Sequence, residues 1–460
     1  MNTLLWFQRD LRINDNPALN WALQQCKPII AIYIYSPEED AMWTEGGASR
    51  WWLHQSLKEL SKDLLKLNIN LNFVKGNSVE TIRQLVKDNQ VSSVVWTNRH
   101  EPHRIQYESV IENELLENSI EVERIIDGLI KHPDNFLTAS SNTPYRVFTP
   151  FYKKLRREMN LNDYHVTNNS NTRSSDLSKQ LIKNTLTLEK LSLLDKQAWH
   201  EKFHNYWKPG EKSAGDKLET FINDALLNYQ LERDIPEIDG TSSLSPHLHF
   251  GEISVQQIIT QLAFLIEIQG GNIVQPAEIF LRQLVWREFA RYTLWHFPET
   301  STQSMNPKFT DKFWNTDKVN LEKWQQGETG IPIIDAGMKQ LWETGIMHNR
   351  VRMLVASLLT KNMGISWQQG ASWFWDTLID ADLANNTMGW QWVAGCGVDA
   401  APYYRIFNPQ TQAKKFDKNN YYINRWLDNT STMEASESIV DLATSRVAAL
   451  ERYNDVIRQA

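Results

Sequence analysis

The chain has few cysteines, and neither stands where a disulfide or a metal site would need it. Cys26 and Cys396 are the only two in 460 residues, and no metal-ligand spacing surrounds either of them. A disulfide framework and a zinc site are therefore not expected. We predict that both residues are buried thiols.

The sequence also lacks an excess of positive charge and any long apolar run. Its net charge of −7 argues against a protein that coats nucleic acid through a broad positive field, so any nucleic-acid contact must be local. No segment is long and apolar enough to cross a bilayer, and the first residues lack a basic region followed by a cleavage site. We expect a cytoplasmic monomer with neither a membrane nor a metal partner.

A glycine-rich turn, the signature of dinucleotide-binding sheets, is missing after the first apolar run, where residues 8–12 (QRDLR) stand instead. Short apolar runs nevertheless alternate with segments of helical spacing, such as Trp51–Leu67, through the first 130 residues. This alternation predicts an α/β, Rossmann-like N-terminal domain, with a parallel sheet and flanking helices, over residues 1–130. The predicted strands are Leu4–Phe7, Ile29–Tyr35, Leu71–Val74, Val94–Trp96 and Val122–Ile126.

The second half of the chain has a different pattern. After residue 196 strand signals disappear, and apolar residues recur three and four apart in residues 277–297, 333–344, 349–363 and 367–378. We therefore predict an all-α C-terminal domain over residues 196–460, and an inter-domain linker over residues 131–195. Within that linker, residues 166–178 (VTNNSNTRSSDLS) have the composition of an exposed connector.

Tryptophan is unusually abundant, with 19 residues, and two polar segments stand out beside it. Residues 241–246 (TSSLSP) crowd four hydroxyl groups ahead of an apolar run, which suits either a helix cap or a pyrophosphate site. Residues 380–392 (DADLANNTMGWQW) combine carboxylates, amides and indoles, a set that suits a polar, planar ligand such as a heteroaromatic ring. Indoles themselves serve core packing, base stacking or electron transfer.

These two segments, with residues 280–289 (FLRQLVWREF), 329–338 (TGIPIIDAGM), 347–353 (MHNRVRM) and 404–409 (YRIFNP), closely resemble the photolyase/cryptochrome family. Residues 144–151 (PYRVFTPF) and 6–12 (WFQRDLR) are similar to that family's N-terminal domain. The resemblance spans nearly the whole chain. It implies an FAD cofactor, folded into a U in the helical domain and fully reduced in the active state, and ultraviolet-damaged DNA as the partner.

The resemblance also implies roles for individual residues around the cofactor. Arg352 and Asp380 would flank the isoalloxazine ring, Asp382 would accept a hydrogen bond from a ring N–H, and Asn386 would face the flavin N5. An asparagine at that last position favours repair over signalling. The pyrophosphate and the rest of the pocket would be contacted by Thr241, Ser242, Ser243, Leu244, Ser245, Tyr229, Phe280 and Arg287.

Three indoles, Trp390, Trp367 and Trp314, match the family's relay, which carries electrons from the surface to photoexcited flavin. Indole suits this role because its radical cation is accessible and short hops are faster than one long jump.

A dimer inside a duplex must be swung out of the stack to reach a buried ring, as photolyases are known to do. By the resemblance, Trp286 and Trp392 would wedge against the flipped dimer. Gln283 stands where many cyclobutane-dimer enzymes carry a glutamate that bonds the dimer, so its effect on repair yield is open. The mouth and strand contacts would come from Arg233, Asn349, Arg350, Met353, Arg405 and Gln412.

Two of these positions, Asn349 and Met353, predict which lesion is repaired. Relatives that repair the six-four photoproduct carry two histidines for proton transfer where this chain has Asn349 and Met353. Opening a cyclobutane dimer needs only an electron and its return. The resemblance therefore predicts a carbon–carbon lyase that splits cyclobutane pyrimidine dimers by electron transfer from excited, reduced FAD.

Two other functions stay open. Residues 373–382 (WFWDTLIDAD) and 393–397 (VAGCG) are similar to the bacterial subgroup nearest to plant cryptochromes, so a blue-light photoreceptor is the main alternative, and a six-four photolyase is the other. Residues 427–438 (LDNTSTMEASES) replace a longer segment of the family.

A second, light-harvesting chromophore is a further expectation from the resemblance. Glu101 matches a folate-contacting position of some relatives, whereas residues 48–52 (ASRWW) depart from the segment that stacks on folate there. Methenyltetrahydrofolate is expected, with a deazaflavin or no antenna as alternatives.

Overall fold

The computed structural model describes residues 1–164, 166, 181–195, 199–400, 404–427 and 437–458. The predicted connector at 167–178 and most of the shortened segment at 427–438 lie outside these residues. The predicted domain boundaries at 130 and 195 stay a prediction.

Five parallel strands form the N-terminal sheet in the order β3-β2-β1-β4-β5. Leu5 of the central strand lies opposite Ala31 on one side and Val95 on the other. Such central strands are buried on both faces, which explains why they are almost continuously apolar in sequence. The strands are β1 (Asn2–Phe7), β2 (Ile29–Tyr35), β3 (Leu71–Lys75), β4 (Val91–Thr97) and β5 (Glu121–Ile125).

Helices connect these strands and are the main secondary structure in the rest of the described chain. Those of the α/β part are α1 (Pro17–Gln24), α2 (Pro37–Asp40), α3 (Gly47–Lys66), α4 (Ser78–Asp88) and α5 (Pro102–Glu117). The remainder are α6 (Phe148–Glu158), α7 (Glu211–Thr220), α8 (Tyr229–Glu232), α9 (Ser245–Phe250), α10 (Val255–Gln269), α11 (Val274–His296), α12 (Lys318–Gln326), α13 (Pro332–Thr344), α14 (Asn349–Ser357), α15 (Trp367–Thr377), α16 (Leu383–Ala394), α17 (Pro409–Phe416), α18 (Tyr421–Trp426) and α19 (Leu442–Tyr453).

The carboxyl edge of the sheet faces the helical part, and this contact positions the site. Arg12, which follows β1, is fully buried and donates to the carboxylate of Asp127 after β5 (2.8 Å) and to the carbonyl of Gly251 after α9 (3.1 Å). Gly251 has a φ of +68°, and a Cβ there would lie 1.9 Å from the Arg9 carbonyl oxygen. Only glycine allows this close approach of the two backbones.

The predicted α/β and all-α architecture is confirmed, and all five strands lie where the sequence indicated. The predicted helix over 349–363 is interrupted, because α14 ends at Ser357 and a π-helical turn covers Leu358–Asn362. The burial predicted for Cys26 is wrong. This residue is exposed just after α1, whereas Cys396 is buried.

Two absences hold for the described residues. Their helices include none with the length and apolar character needed to traverse a bilayer. The same residues contain no cluster of three or more histidine, cysteine or acidic side chains that could hold a metal ion.

The packing of α15 on α16 gives a prediction about stability. A Cβ at Gly370 would lie 2.1 Å from the Trp390 ring, so Gly370→Ala should lower the free energy of unfolding by about 1–3 kcal/mol through overpacking. In contrast, Gly215→Ala on α7 has open space around the new methyl group and should raise it by about 0.5–1 kcal/mol. Thermal unfolding of both variants measures this, and an unchanged midpoint for Gly370→Ala would contradict the packing.

Candidate functional site

A hydrogen-bonded cluster joins three of the predicted cofactor residues. The Ser245 hydroxyl donates to the Asp380 carboxylate at 2.6 Å, and the Arg352 guanidinium donates to both oxygens of that carboxylate at 3.1 and 3.0 Å. Arg352 is further fixed by a bond from its Nε to the Met347 carbonyl at 2.7 Å. The start of α9, the middle of α14 and the turn before α16 are thereby tied together.

The hydroxyl-rich segment before α9 is free to meet a ligand. Within the described residues, the hydroxyls of Thr241 and Ser243 make no hydrogen bond to protein, while the Ser242 hydroxyl receives only a long bond from the Leu244 N–H at 3.4 Å. Ser243 has a φ of +51°, a left-handed conformation that is typical of a tight turn. This arrangement suits anion binding by hydroxyls and backbone N–H groups.

An apolar wall is formed by two other predicted pocket residues. Tyr229 and Phe280 are both buried, and their rings meet edge to face with centroids 5.5 Å apart.

Asp382 is the second carboxylate of the site, and it is partly buried. It caps α16, since its Oδ1 accepts the Asn385 N–H at 2.9 Å, and its Oδ2 lies 3.3 Å from Arg291 and 3.7 Å from His249. Burial opposes ionisation, but the nearby Arg291 and His249 outweigh it and hold the pKa of Asp382 well below its usual range. Asp382 is therefore a fixed negative charge.

Sequence reasoning missed Arg291 and His249. Arg291 follows Arg287 by one helical turn on α11, and that spacing places both guanidinium groups on the same face. This spacing of two arginines is the sequence feature that could have indicated Arg291 as a site residue.

A cavity lies between the sheet and the helices. The predicted cofactor residue Asp382 and the predicted antenna residue Glu101 both line it. Its charged lining comprises Arg9, Arg12, Arg99, Arg287, Arg291, Glu101, Asp127 and Asp382, so cations exceed anions. Residues that follow β1 and β4 line this cavity, and the strand order changes direction between these two neighbouring strands, which is where ligands of open parallel sheets usually bind.

Arg287 is the least neutralised of these cations. It donates to the carbonyls of Gly128 (2.9 Å) and Leu248 (3.4 Å) and forms no ion pair within the described residues. Burial, followed by repulsion from Arg291, lowers its pKa to about 9. A partly buried arginine that has only carbonyl partners is suited to an anionic ligand.

Glu101 is already paired within the protein. It accepts two bonds from Arg99, at 2.8 and 2.9 Å.

Asn386 lies on the first turns of α16, three residues after the start of the helix. Its amide N–H donates to the Ala371 carbonyl at 3.0 Å, which fixes the side chain and leaves its own carbonyl oxygen uncommitted among the described residues.

The three relay candidates lie on neighbouring elements but are not in ring contact with one another within the described residues. Trp390 is buried against Gly370 of α15, and Trp367 is the fully buried first residue of that helix. Trp314 is partly exposed, and the adjacent Asn315 donates its N–H to the Gly364 carbonyl at 2.7 Å. This order leads from the interior to the surface.

The predicted DNA contacts form two groups. In the first, Arg350 pairs with Asp234 at 2.7 Å, Arg233 lies 3.9 Å from the same carboxylate, and Met353 Sδ lies 4.0 Å from the Arg350 guanidinium. Arg350 also lies over Phe416 of α17, the helix that carries Gln412.

In the second group, Trp392 and Arg405 line a small cavity. Asn349 is exposed at the start of α14, and like Trp392 and Arg405 it has no side-chain hydrogen bond within the described residues. Trp286 is partly buried and stacks on Phe148. Gln283, one turn earlier on α11, bonds to the Ile279 carbonyl of its own helix at 3.1 Å and to none of the other predicted site residues.

The residues present fit a flavin nucleotide. Free hydroxyls, a residue with positive φ and a partly buried arginine without an ion pair among the described residues suit its phosphates, and the fixed carboxylate of Asp382 suits a ring N–H.

Comparison with known proteins agrees with this fit. A family model described as DNA photolyase matches residues 3–169, and one described as the FAD binding domain of DNA photolyase matches residues 280–457. The deoxyribodipyrimidine photo-lyase of Agrobacterium fabrum is 39% identical over 94% of this chain and 88% of its own length. Cryptochrome-2 of Arabidopsis thaliana is 33% identical over 92% of this chain and 70% of its own length. The crystal structure of a bacterial class III photolyase from Agrobacterium tumefaciens superposes with a TM-score of 0.91 at 35% identity, over 99% of this chain and 98% of that one.

The cluster around Asp380 gives a prediction about cofactor retention. Asp380→Ala leaves the Arg352 guanidinium without its carboxylate and should weaken FAD binding about tenfold or more, because the helices around the ligand lose their connection. The measurement is bound flavin per mole of purified protein, followed by titration with FAD. Asp216→Ala, which removes an exposed carboxylate of α7, is the control and should retain full flavin. Equal retention in both variants would exclude this role.

Proposed function

The chain belongs to the photolyase/cryptochrome family, and from that premise we propose that it splits cyclobutane pyrimidine dimers in DNA by light-driven electron transfer. Photolyase-type DNA repair is supported by relatives over most of the chain. The observation that carries the finer proposal is the chemistry of two side chains one turn apart on α14, where relatives that repair the six-four photoproduct carry histidines. Asn349 and Met353 flank Arg350 on that helix, and neither of the two can donate a proton as an imidazolium can.

Reduced FAD, when bound, would supply the light-driven electron that opens the dimer and that is recovered afterwards. The protein's part is to hold and surround it. Arg352, Asp380 and Ser245 hold the helices at the site in register, Asp382 offers a fixed charge to a ring N–H, and Asn386 offers an uncommitted amide oxygen. Since the electron returns, no proton transfer by the protein is needed.

Substrate recognition must be focused, because the whole chain is negatively charged. Trp286 and Trp392 offer apolar contact that is independent of sequence, as an extruded dimer requires. Arg350, Arg233 and Arg405 would contact the phosphates on either side. Asp234 partly neutralises Arg350 and Arg233 in the free protein and would compete with those phosphates.

Trp390, Trp367 and Trp314 would activate the enzyme by reducing oxidised FAD through a series of hops. Their surroundings support this, since two of them are buried in a core that excludes water and the third is partly exposed to the solvent that holds the electron donor.

A photoreceptor is the second candidate, and similarity to a plant cryptochrome favours it. Against it stands Asn386, where an acid would favour signalling photochemistry. The two candidate functions are distinguished by one measurement: a repair enzyme restores intact pyrimidines in light, and a photoreceptor does not.

We further propose that an antenna chromophore, methenyltetrahydrofolate or a deazaflavin, binds on the sheet side of the cavity, where Glu101, Arg9 and Arg99 line it. The helical side, with Arg287 and Asp382, is left to the cofactor. The arginines of the sheet side suit an anionic chromophore. A folate that bonds to Glu101 would compete with Arg99 for this carboxylate. The cytoplasmic location and the monomeric state stay predictions.

The test of the proposed function is light-dependent repair by the purified, reduced protein. Mixed anaerobically with ultraviolet-irradiated oligothymidylate, it should restore thymine absorbance in light and not in darkness. A duplex that carries a six-four photoproduct should stay unrepaired, and its restoration would overturn the interpretation of Asn349 and Met353. No recovery of thymine under these conditions would contradict repair and favour the photoreceptor.

The relay gives a separate prediction. Trp390→Phe should abolish photoreduction of oxidised FAD, because phenylalanine is far harder to oxidise than indole, and it should leave repair by chemically reduced enzyme largely intact. Transient absorption after blue-light excitation measures the first effect. Trp295→Phe, which changes a partly exposed indole bonded to Asp134, is the matched control and should photoreduce normally. Normal photoreduction in Trp390→Phe would show that Trp390 serves only as core.

A further inference from the structure

The segment PYRVFTPF at residues 144–151 has no part in the functions discussed so far, yet it contacts the predicted dimer site. Phe148, the first residue of α6, is 1% exposed. Its ring lies flat on the indole of Trp286, with centroids 3.5 Å apart and planes inclined by 7°. One face of this indole is therefore covered by protein, and any ligand must use the other face or the edge.

The Phe148 ring is itself held from several sides. Phe289 meets it at 5.8 Å, Tyr152 stacks on it at 5.7 Å, and the Arg282 guanidinium lies over it at 5.5 Å. Phe289 also meets the edge of Trp286 at 6.1 Å. A tryptophan on a helix surface could otherwise rotate about two side-chain bonds, so this packing selects one orientation of the indole.

The backbone of the same segment is bonded to Asp399, a residue on the wall that carries Trp392. The Phe148 N–H donates to the Asp399 carboxylate at 3.3 Å, and the Asp399 N–H donates to the Arg146 carbonyl at 3.3 Å. Asp399 lies five residues after the end of α16 and lines the small cavity that also contains Trp392 and Arg405. Residues 146–148 thus connect the wall that carries Trp286 with the wall that carries Trp392.

We propose that Phe148 and Asp399 are positioning residues for the dimer clamp. Phe148 fixes the Trp286 ring so that its free face meets the extruded dimer, and Asp399 sets the position of that ring relative to Trp392. The inference rests on the proposed function, since it concerns recognition of the same lesion. A clamp that is rigid before binding loses less entropy on binding, so these residues should affect affinity for the dimer and not the electron-transfer step.

The experiment is a double-mutant cycle on lesion affinity. Phe148→Leu, Trp286→Leu and the double variant are prepared as reduced holoenzymes, and their dissociation constants for irradiated and unirradiated oligothymidylate are measured in the dark. Phe148→Leu should weaken binding of the irradiated strand up to about tenfold, with little change for the unirradiated strand. The double variant should bind no more weakly than Trp286→Leu, because Phe148 acts through that indole.

Repair yield per absorbed photon, measured with saturating DNA, should be unchanged in Phe148→Leu. Asp399→Ala gives an independent readout that leaves the aromatic packing in place. It should lower lesion affinity in the same direction and keep bound FAD and photoreduction at wild-type levels, whereas Asp399→Asn, which keeps the acceptor oxygen, should restore affinity.

Three results would overturn the inference. If the factors by which the two single substitutions weaken binding of the irradiated strand multiply in the double variant, Phe148 acts independently of Trp286. Equal weakening for both strands would show a general effect on folding. Full lesion affinity in Asp399→Ala would remove the link between the walls. A wild-type protein that does not prefer irradiated DNA would instead overturn the proposed function itself.

Discussion

Two partly buried carboxylates at the start of α16 determine how the helical part is assembled. Asp380 and Asp382 are largely shielded from water, and a charge in such a place is tolerated only when it is paired and hydrogen-bonded. Their partners come from other helices: Arg352 from α14, Arg291 from α11, and Ser245 from α9. The pairing of these two charges therefore holds α9, α11, α14 and α16 together. The hydroxyl-rich turn and Asn386 lie next to this cluster.

The α/β part contacts this region of the helical part through the carboxyl edge of its sheet. Arg12 donates to Asp127 and to the Gly251 carbonyl, so the loops after β1 and β5 are held against the end of α9. Both parts contribute arginines to the cavity between them, so that arginines outnumber acidic side chains in its lining. A light-harvesting ligand there would lie close to the cofactor, because Glu101 and Asp382 line the same space.

Much of this could be predicted from the sequence, and the rest depends on contacts between distant segments. The strands were readable because buried parallel strands are continuous apolar runs, as at Ile29–Tyr35. The π-helical turn at Leu358–Asn362 was not, since its apolar spacing matches that of a helix. His249 and Arg291 resemble ordinary helix residues until the fold brings them to Asp382. Phe148 and Trp286 are 138 positions apart, and no local pattern indicates that their rings stack.

The central claim is that the protein lends an electron to a dimer and recovers it, so that light alone is consumed. Counting repaired dimers per flavin in a sealed anaerobic cuvette, with no added reductant, tests this most directly. The account predicts many dimers opened per flavin, with the flavin spectrum still that of the reduced form at the end. One reducing equivalent lost for each dimer opened, or no dimer opened at all, would contradict it.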